Sequence, residues 1–144
     1  MKTTSALLIL AIMAIGCTKL VQDADNSASC DNVACTMEFR TVMVTVSNSD
    51  GIKVPLDSIS VTDLKNNEDI TRQLEPFEWE MAIEAGSYPL FGDENLQKYQ
   101  NQSLEVLFQG FIAGTAVVNE EFTVGADCCH VGLIKGNTDI VIAN

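Results

Sequence analysis

Four cysteines and one histidine carry the most reactive side chains of this sequence. Cys128, Cys129 and His130 are consecutive, and Cys30 and Cys35 lie far upstream with four residues between them. Four thiolates, or three thiolates and an imidazole, suit tetrahedral zinc. The spacing is not that of a zinc finger, however, and on a strand the adjacent cysteines would point to opposite faces.

Disulfides are the preferred interpretation of these cysteines, because an even number of cysteines in an exported protein is typical of them. A bond between the neighbours Cys128 and Cys129 needs strained peptide geometry, so we expect Cys30 and Cys35 to bond to that pair, in either of two pairings. Either pairing closes loops for which the chain-entropy model gives about 4–5 kcal/mol. We expect no resident metal and no cofactor; zinc at residues 128–130 and free redox thiols are the alternatives.

His130 is the single histidine, so a serine or cysteine nucleophile activated by an imidazole would have to use it. Cys128 would share its strand face. The sequence has no Gly-x-Ser-x-Gly elbow, and nothing in it places an orienting acid. We therefore expect a structural histidine beside a disulfide, in a protein that is not an enzyme.

Carboxylates form two further groups. On a strand, the first group gives an exposed acidic stripe rather than the two opposed acids of a glycosidase; its members are Glu78, Glu80 and Glu84. The second group could hold calcium, but it does not fit the 12-residue loop pattern; its members are Asp23, Asp25 and Asp31, or residues 66–69.

Aromatic side chains are few, and a sugar-binding site would need some of them exposed. Tyr88 and Tyr99 are the expected exposed candidates. Trp79 lies on the apolar face of its segment and is expected in the core. A ligand-binding site is therefore not assigned to particular residues.

The first 17 residues predict a lipid anchor. Lys2 gives a basic start, residues 6–15 are an unbroken apolar run, and small residues precede Cys17. A run this short does not span a bilayer, which takes about 20 residues. We expect residues 1–16 to be a lipoprotein signal peptide and Cys17 to carry the acyl chains, palmitate among them. Thr18 in place of Asp favours the outer membrane; its periplasmic and outer faces both stay open.

The formal net charge of the chain is −12. Nucleic-acid affinity comes from cationic contacts and counterion release, so a chain this acidic without a Lys/Arg cluster is not expected to bind nucleic acid. The same charge disfavours peripheral binding to anionic lipid. Solubility at a cell surface is its simplest consequence.

The cysteines, the histidine and the carboxylates are carried by elements that the pattern of apolar residues predicts to be β-strands. Residues 17–34 are polar and predict a flexible tether, and residues 35–144 predict one β-sandwich domain. The clearest alternation covers residues 77–84, residues 104–112 read as a central strand, and Gly136-Asn137 as a hairpin turn between the last two strands. About seven or eight short strands with almost no helix predict an all-β, antiparallel sandwich.

Two segments resemble known families. Residues 44–61, with the turn Asp50-Gly51 and Pro55 between two alternating strands, resemble the opening of bacterial Ig-like and carboxypeptidase-regulatory-like domains over about 20 residues. Residues 124–131 (VGADCCHV) resemble the end of a group of Bacteroidota lipoproteins of uncharacterised function. The resemblance implies an Ig-like or transthyretin-like sandwich and no activity.

Three functions fit these expectations. The first is a non-catalytic, lipid-anchored envelope protein that acts as a protein-interaction or structural module, with a strand edge or apolar patch as its site. The second is a glycan or small-ligand binding module of an uptake system. The third is a metal-binding or redox protein built on Cys128, Cys129 and His130.

Overall fold

The computed structural model describes residues 29–143. The signal peptide, Cys17, Asp23 and Asp25 lie outside the described residues. Eight strands occur within them: β1 (Thr41–Asn48), β2 (Ser58–Asp63), β3 (Glu68–Asp69), β4 (Ser87–Gly92), β5 (Gln102–Ile112), β6 (Thr115–Ala126), β7 (Val131–Lys135) and β8 (Asp139–Ile142). Two helices, α1 (Pro76–Ala85) and α2 (Leu96–Tyr99), complete the elements, and a 3-10 turn (Asp93–Asn95) precedes α2.

The strands form two sheets, which confirms the all-β sandwich. One sheet has three strands in the order β4-β1-β8, and the other has five in the order β3-β2-β5-β6-β7. All neighbours in the five-stranded sheet are antiparallel, and β5 lies at its centre as the apolar run in residues 104–112 predicts. In the smaller sheet, β1 pairs antiparallel with β4 but parallel with β8.

The predicted hairpin between the last two strands is wrong. β7 ends the five-stranded sheet, whereas β8 crosses to the other sheet and lies beside β1, with Thr45 opposite Asp139. Gly136 has a φ of 124°, a conformation that side chains other than glycine rarely adopt. The glycine therefore redirects the chain between sheets instead of closing a two-strand turn.

Both sheets bury the inward side of their alternating residues. The two longest strands supply alternate core positions, which are Leu104, Val106 and Phe108 from β5 and Val118, Phe122 and Val124 from β6. The smaller sheet faces them with Val44, Val46, Tyr88, Leu90 and Phe91. Gly110 continues the β5 series, and a Cβ there would lie 2.6 Å from Leu56 Cδ1, so the glycine leaves room for a core leucine.

The clearest alternating segment is a helix, and the strand predicted there is wrong. Pro76 occupies the first turn of α1, where its missing N–H costs nothing, and the Glu78 carboxylate accepts a hydrogen bond from the backbone N–H of Glu75 at 2.9 Å. Gly86 ends the helix in the left-handed conformation, with a φ of 58°. These capping signals, together with good helix formers, outweigh the period-2 pattern.

Trp79 and Ile83 satisfy both periods, because residues four apart share one face of a strand and also one face of a helix, and this explains the error. Trp79, Ala82 and Ile83 are spaced three and four apart and turn toward the protein, with Ala82 buried and the other two half-buried. Phe77 and Met81, expected inward on a strand, are 64% and 59% exposed. The helix therefore presents apolar side chains to solvent.

Two tyrosines expected to be exposed are buried. Tyr88 is fully buried and Tyr99 is 6% exposed. The Tyr88 hydroxyl donates to Val54 O at 3.0 Å and accepts from Leu56 N at 2.8 Å, so the ring fixes the segment between β1 and β2. Trp79 is half-buried rather than fully in the core and packs against Tyr88, with ring centroids 5.8 Å apart. The predicted sugar-stacking pair is thus part of the core.

Replacing Tyr88 by Phe is expected to lower the free energy of unfolding by about 1–3 kcal/mol, because a buried N–H and a carbonyl lose their partner. Urea denaturation measures this change. Tyr99→Phe is the matched control, since its hydroxyl contacts Asp63 at a longer 3.3 Å and Asp63 keeps bonds from Lys65 N and Asn66. A Tyr88→Phe loss no larger than the Tyr99→Phe loss would contradict this account.

Over residues 29–143, the structure has no helix that is both long enough and apolar enough to cross a membrane.

Candidate functional site

The four cysteines within the described residues form two disulfides. Cys30 bonds to Cys128 with Cα atoms 5.4 Å apart, and Cys35 bonds to Cys129 with Cα atoms 5.2 Å apart. The sequence left two pairings open. The structure has the one in which the first upstream cysteine bonds to the first of the adjacent pair and the second bonds to the second. The segment before β1 is thus fastened twice to the loop between β6 and β7.

That loop, residues 127–130, is shaped by one carboxylate. Asp127 Oδ1 accepts hydrogen bonds from Cys129 N at 2.7 Å and His130 N at 2.8 Å. These backbone donors, against a smaller opposing effect of burial, lower the pKa of Asp127. Cys128 and Cys129 therefore lie in a turn before β7 and not on a strand, so the expectation that they point to opposite sheet faces does not apply.

His130 lies between a carboxylate and a hydroxyl. Its Nδ1 is 2.9 Å from Asp93 Oδ2, and its Nε2 is 2.9 Å from Thr36 Oγ1. The side chains of His130 and Asp93 are 10% and 8% exposed. Since an ionised carboxylate only accepts hydrogen bonds, Nδ1 carries the proton, and in the neutral ring Nε2 accepts from Thr36.

Asp93 is the centre of this arrangement. Its Oδ2 also accepts from Arg40 N, and its Oδ1 accepts from Val131 N, both at 2.8 Å. Burial is the largest single effect on the carboxyl and raises its pKa, but the hydrogen bonds from His130, Arg40 and Val131 together outweigh burial and lower the pKa. Asp93 therefore remains ionised and joins three separate segments of the chain.

The acid beside His130 is Asp93, which the sequence did not reveal. Asp93 opens the 3-10 turn after β4, and Gly92 takes the N-cap position. No sequence signal links the two residues, which are 37 positions apart. A hydroxyl, imidazole and carboxylate in this order is the geometry in which a base activates a hydroxyl. Here both ring nitrogens have partners within the chain, and the contacts hold Thr36 against the β6–β7 loop.

We call this region the junction: residues 30–36, Asp93 and residues 127–131. All four of its sulfur atoms are oxidised as disulfides, so none is a thiolate of the kind that binds zinc. The part of the chain that the structure describes contains no cluster of three or more metal-ligating side chains.

Of the acidic groups considered as sites within the described residues, Asp31 belongs to the junction and the others lie outside it. Glu78 caps α1 and pairs with Arg72 at 2.9 Å, whereas Glu80 and Glu84 are exposed on the same helix. Asp31 accepts from the Ser29 hydroxyl at 2.6 Å. Glu68 and Asp69 form β3, where Glu68 pairs with Lys98 and the Asp69 carboxylate accepts from Thr71 N. Glu78 therefore serves as a cap and an ion-pair partner and Glu68 as an ion-pair partner, whereas Glu80 and Glu84 make no ion pair within residues 29–143.

An apolar groove runs between α1 and the outer side of β1 and β4. Its volume is about 350 Å³. The helix lines it with Phe77, Met81 and Ala85, and the strands line it with Met43 and Pro89. Met43 is 40% exposed, so the groove presents apolar side chains on both walls.

The guanidinium of Arg72 lies at one end of the groove, where an ion pair fixes its position. Arg72 lines the groove, forms its ion pair with Glu78, and lies 5.8 Å from the centroid of the Phe39 ring. Phe39 is 60% exposed, which extends the apolar surface beyond the groove. The apolar surface of the groove is formed by Met43, Leu74, Phe77, Met81 and Pro89.

The groove was missed at the level of sequence because residues 77–84 were assigned to a strand. The signal that could have found it is Glu75-Pro76 followed by Gly86, a helix start and stop ten residues apart. A helix over that range places Phe77 and Met81 on a different face from Trp79, Ala82 and Ile83.

No protein-family model, curated protein or solved structure matches this chain.

Proposed function

We propose that this protein is a non-catalytic, lipid-anchored protein of the cell envelope that binds a segment of a partner protein in the groove. The observation that carries the interaction function is the exposure of Phe77 and Met81 opposite Met43. Clustered, exposed Met and Phe side chains are typical of protein-binding surfaces, since Met adapts to irregular partners.

The proposed location in the cell envelope rests on the sequence around Cys17 and is supported by the disulfides. Disulfides form and persist in oxidising compartments, which include the bacterial periplasm and the cell surface. Two of them join Cys30 and Cys35 to the domain. Acyl chains on Cys17 would then hold the domain in the outer membrane through a tether of about a dozen residues before the first disulfide.

The proposal of a non-catalytic protein is supported by the junction. Asp93 accepts hydrogen bonds from His130 and from the backbone N–H of Val131. The hydrogen bonds between Thr36 and His130, and between the backbone N–H of Arg40 and Asp93, fasten the N-terminal segment to the domain. The geometry thus has a structural explanation that needs no substrate.

A small-ligand module is the second candidate. The groove volume of about 350 Å³ is within the range of about 300–1,000 Å³ for small-molecule sites. Among the residues the structure describes, the exposed aromatic side chains are Phe39 and Phe77, and both border the groove. They are the positions at which an apolar ligand or a sugar ring would stack.

A photo-crosslinking residue in place of Met81, in the lipid-anchored protein within its native cells, tests the interaction. We expect a discrete adduct with one other protein, and none from the same residue at Ile134, which is similarly exposed at 62% and lies outside the groove. Adducts at both positions, or at neither, would contradict the proposed site. Cys17→Ser tests the anchor separately and is expected to release the protein from the membrane fraction.

A further inference from the structure

We infer that the groove binds a cationic amphipathic helix of a partner protein, an inference that rests on the proposed interaction function and names the chemistry of the partner. The exposed side of α1 carries two parallel stripes of side chains. Phe77 and Met81, four residues apart, form the apolar stripe along the groove. Glu80 and Glu84, also four residues apart, form an acidic stripe beside it.

The acidic stripe is not neutralised within the protein. Helix α1 contains no Lys or Arg, and within residues 29–143 neither Glu80 nor Glu84 makes an ion pair. Two cations contact the helix at other groups: Arg72 pairs with Glu78, and Lys53 Nζ donates to Ala85 O at the end of the helix. An apolar stripe flanked by uncompensated carboxylates is complementary to a helix with apolar residues at i and i+4 and Lys or Arg beside them.

Charge also argues against the other occupants of the groove. A second copy of this chain would bring the same acidic stripe to the interface and, at a net charge of −12, would add repulsion. An anionic membrane surface would be repelled for the same reason. A helix is favoured over an extended segment because the residues of both stripes of α1 are four positions apart. The side chains of a second helix repeat at the same spacing and can therefore meet both stripes along its length.

Titration calorimetry of the full mature protein with a 14-residue amidated peptide of Leu and Lys, patterned as an amphipathic helix, tests this inference. Phe77→Ser/Met81→Ser is expected to weaken binding about tenfold or more, since truncated anchor residues cost at least about 1.4 kcal/mol. The matched control is Ile52→Ser/Ile134→Ser, whose side chains are 64% and 62% exposed and lie outside the groove. It is expected to change the Kd less than about twofold.

A second pair of variants separates attraction to the acidic stripe from attraction to the net charge of the protein. Glu80→Gln/Glu84→Gln is expected to weaken binding about threefold to tenfold, whereas Glu120→Gln/Glu121→Gln, which removes the same charge from exposed positions on β6, is expected to have little effect. Equal losses in both pairs would mean binding to net charge alone and would overturn the inference, as would equal binding of the peptide with Glu in place of Lys.

Two outcomes distinguish this inference from the proposed function. If the Met81 crosslink captures a partner segment that is neutral or acidic, the interaction function stands and the cationic partner is wrong. If the mature protein is a dimer that Phe77→Ser/Met81→Ser dissociates, a second copy occupies the groove and the inference is overturned. A captured segment rich in Lys or Arg with helical apolar spacing would support both.

Discussion

Removing either disulfide alone is expected to lower the free energy of unfolding by about 2–3 kcal/mol, and removing both by about 7 kcal/mol. The two bonds span 98 and 94 positions, and each alone closes nearly the same long loop. Once one is present, the other closes only a ring of about eight residues, 30–35 and 128–129. The smaller ring restricts the unfolded chain less, so the second bond adds less stability.

Guanidinium denaturation of three variants checks this non-additivity: Cys30→Ser/Cys128→Ser, Cys35→Ser/Cys129→Ser and the fourfold change. All are made with residues 1–17 replaced by a cleavable secretory signal, so that the lipid does not interfere. Domains are stable by about 5–15 kcal/mol, and a loss of about 7 kcal/mol would unfold the fourfold variant if the native stability lies at the lower end of that range. The paired variants test the idea even then, because a cost of about 4–5 kcal/mol for either pair would show that the bonds act independently.

Replacing Asp93 by Asn is expected to lower the free energy of unfolding by about 2–4 kcal/mol. Three N–H donors, from Arg40, His130 and Val131, converge on the two carboxylate oxygens. Asparagine has an NH2 group, which is a donor, in place of one carboxylate oxygen. At least one of the three N–H groups therefore loses its acceptor, at a side chain that is only 8% exposed. Glu120→Gln removes the same charge from an exposed position on β6 and is expected to change stability by less than about 0.5 kcal/mol.

The stability that Asp93 provides is also expected to depend on pH. Its pKa is lowered in the folded state, so its contribution is fully present above the pKa of an unfolded Asp, about 3.9, and is lost as the pH falls through the lower folded value. Denaturation midpoints measured from pH 6 to pH 2 should therefore fall less steeply for Asp93→Asn than for the native chain. Parallel curves for the two proteins would show that the carboxylate is not the group being titrated.

Both predictions concern the junction, which links the proposed anchor to the proposed binding surface. The proposed tether would enter the domain where the disulfides fasten Cys30 and Cys35, and Asp93 bonds to Arg40 just before β1. β1 in turn supplies Met43 to the groove. A tether that pulled directly on β1 would load the central strand of the smaller sheet, whereas the disulfides direct the load to the loop between β6 and β7.

The fold class was predictable because the signal is local. Apolar residues on both faces of residues 104–112 predict a central strand, and β5 occupies that position. The helix at residues 76–85 was not predicted, because Phe77, Trp79, Met81 and Ile83 fit a period of two when the caps at Glu75 and Gly86 are ignored. The hairpin at Gly136 failed because turn residues mark a change of direction without saying which sheet receives the next strand.

The sequence by itself determined the properties that depend on residue type: an alternating all-β chain, an acidic surface, and cysteines in the number and spacing of disulfides. The tertiary structure alone decided which groups meet. Cys30 reached Cys128 and not Cys129, Asp93 reached His130 across 37 positions, and Phe77 and Met81 faced solvent rather than the core. Pairing of this kind depends on how two sheets stack and where their loops converge, and no local pattern encodes a distance between segments that are remote in the chain.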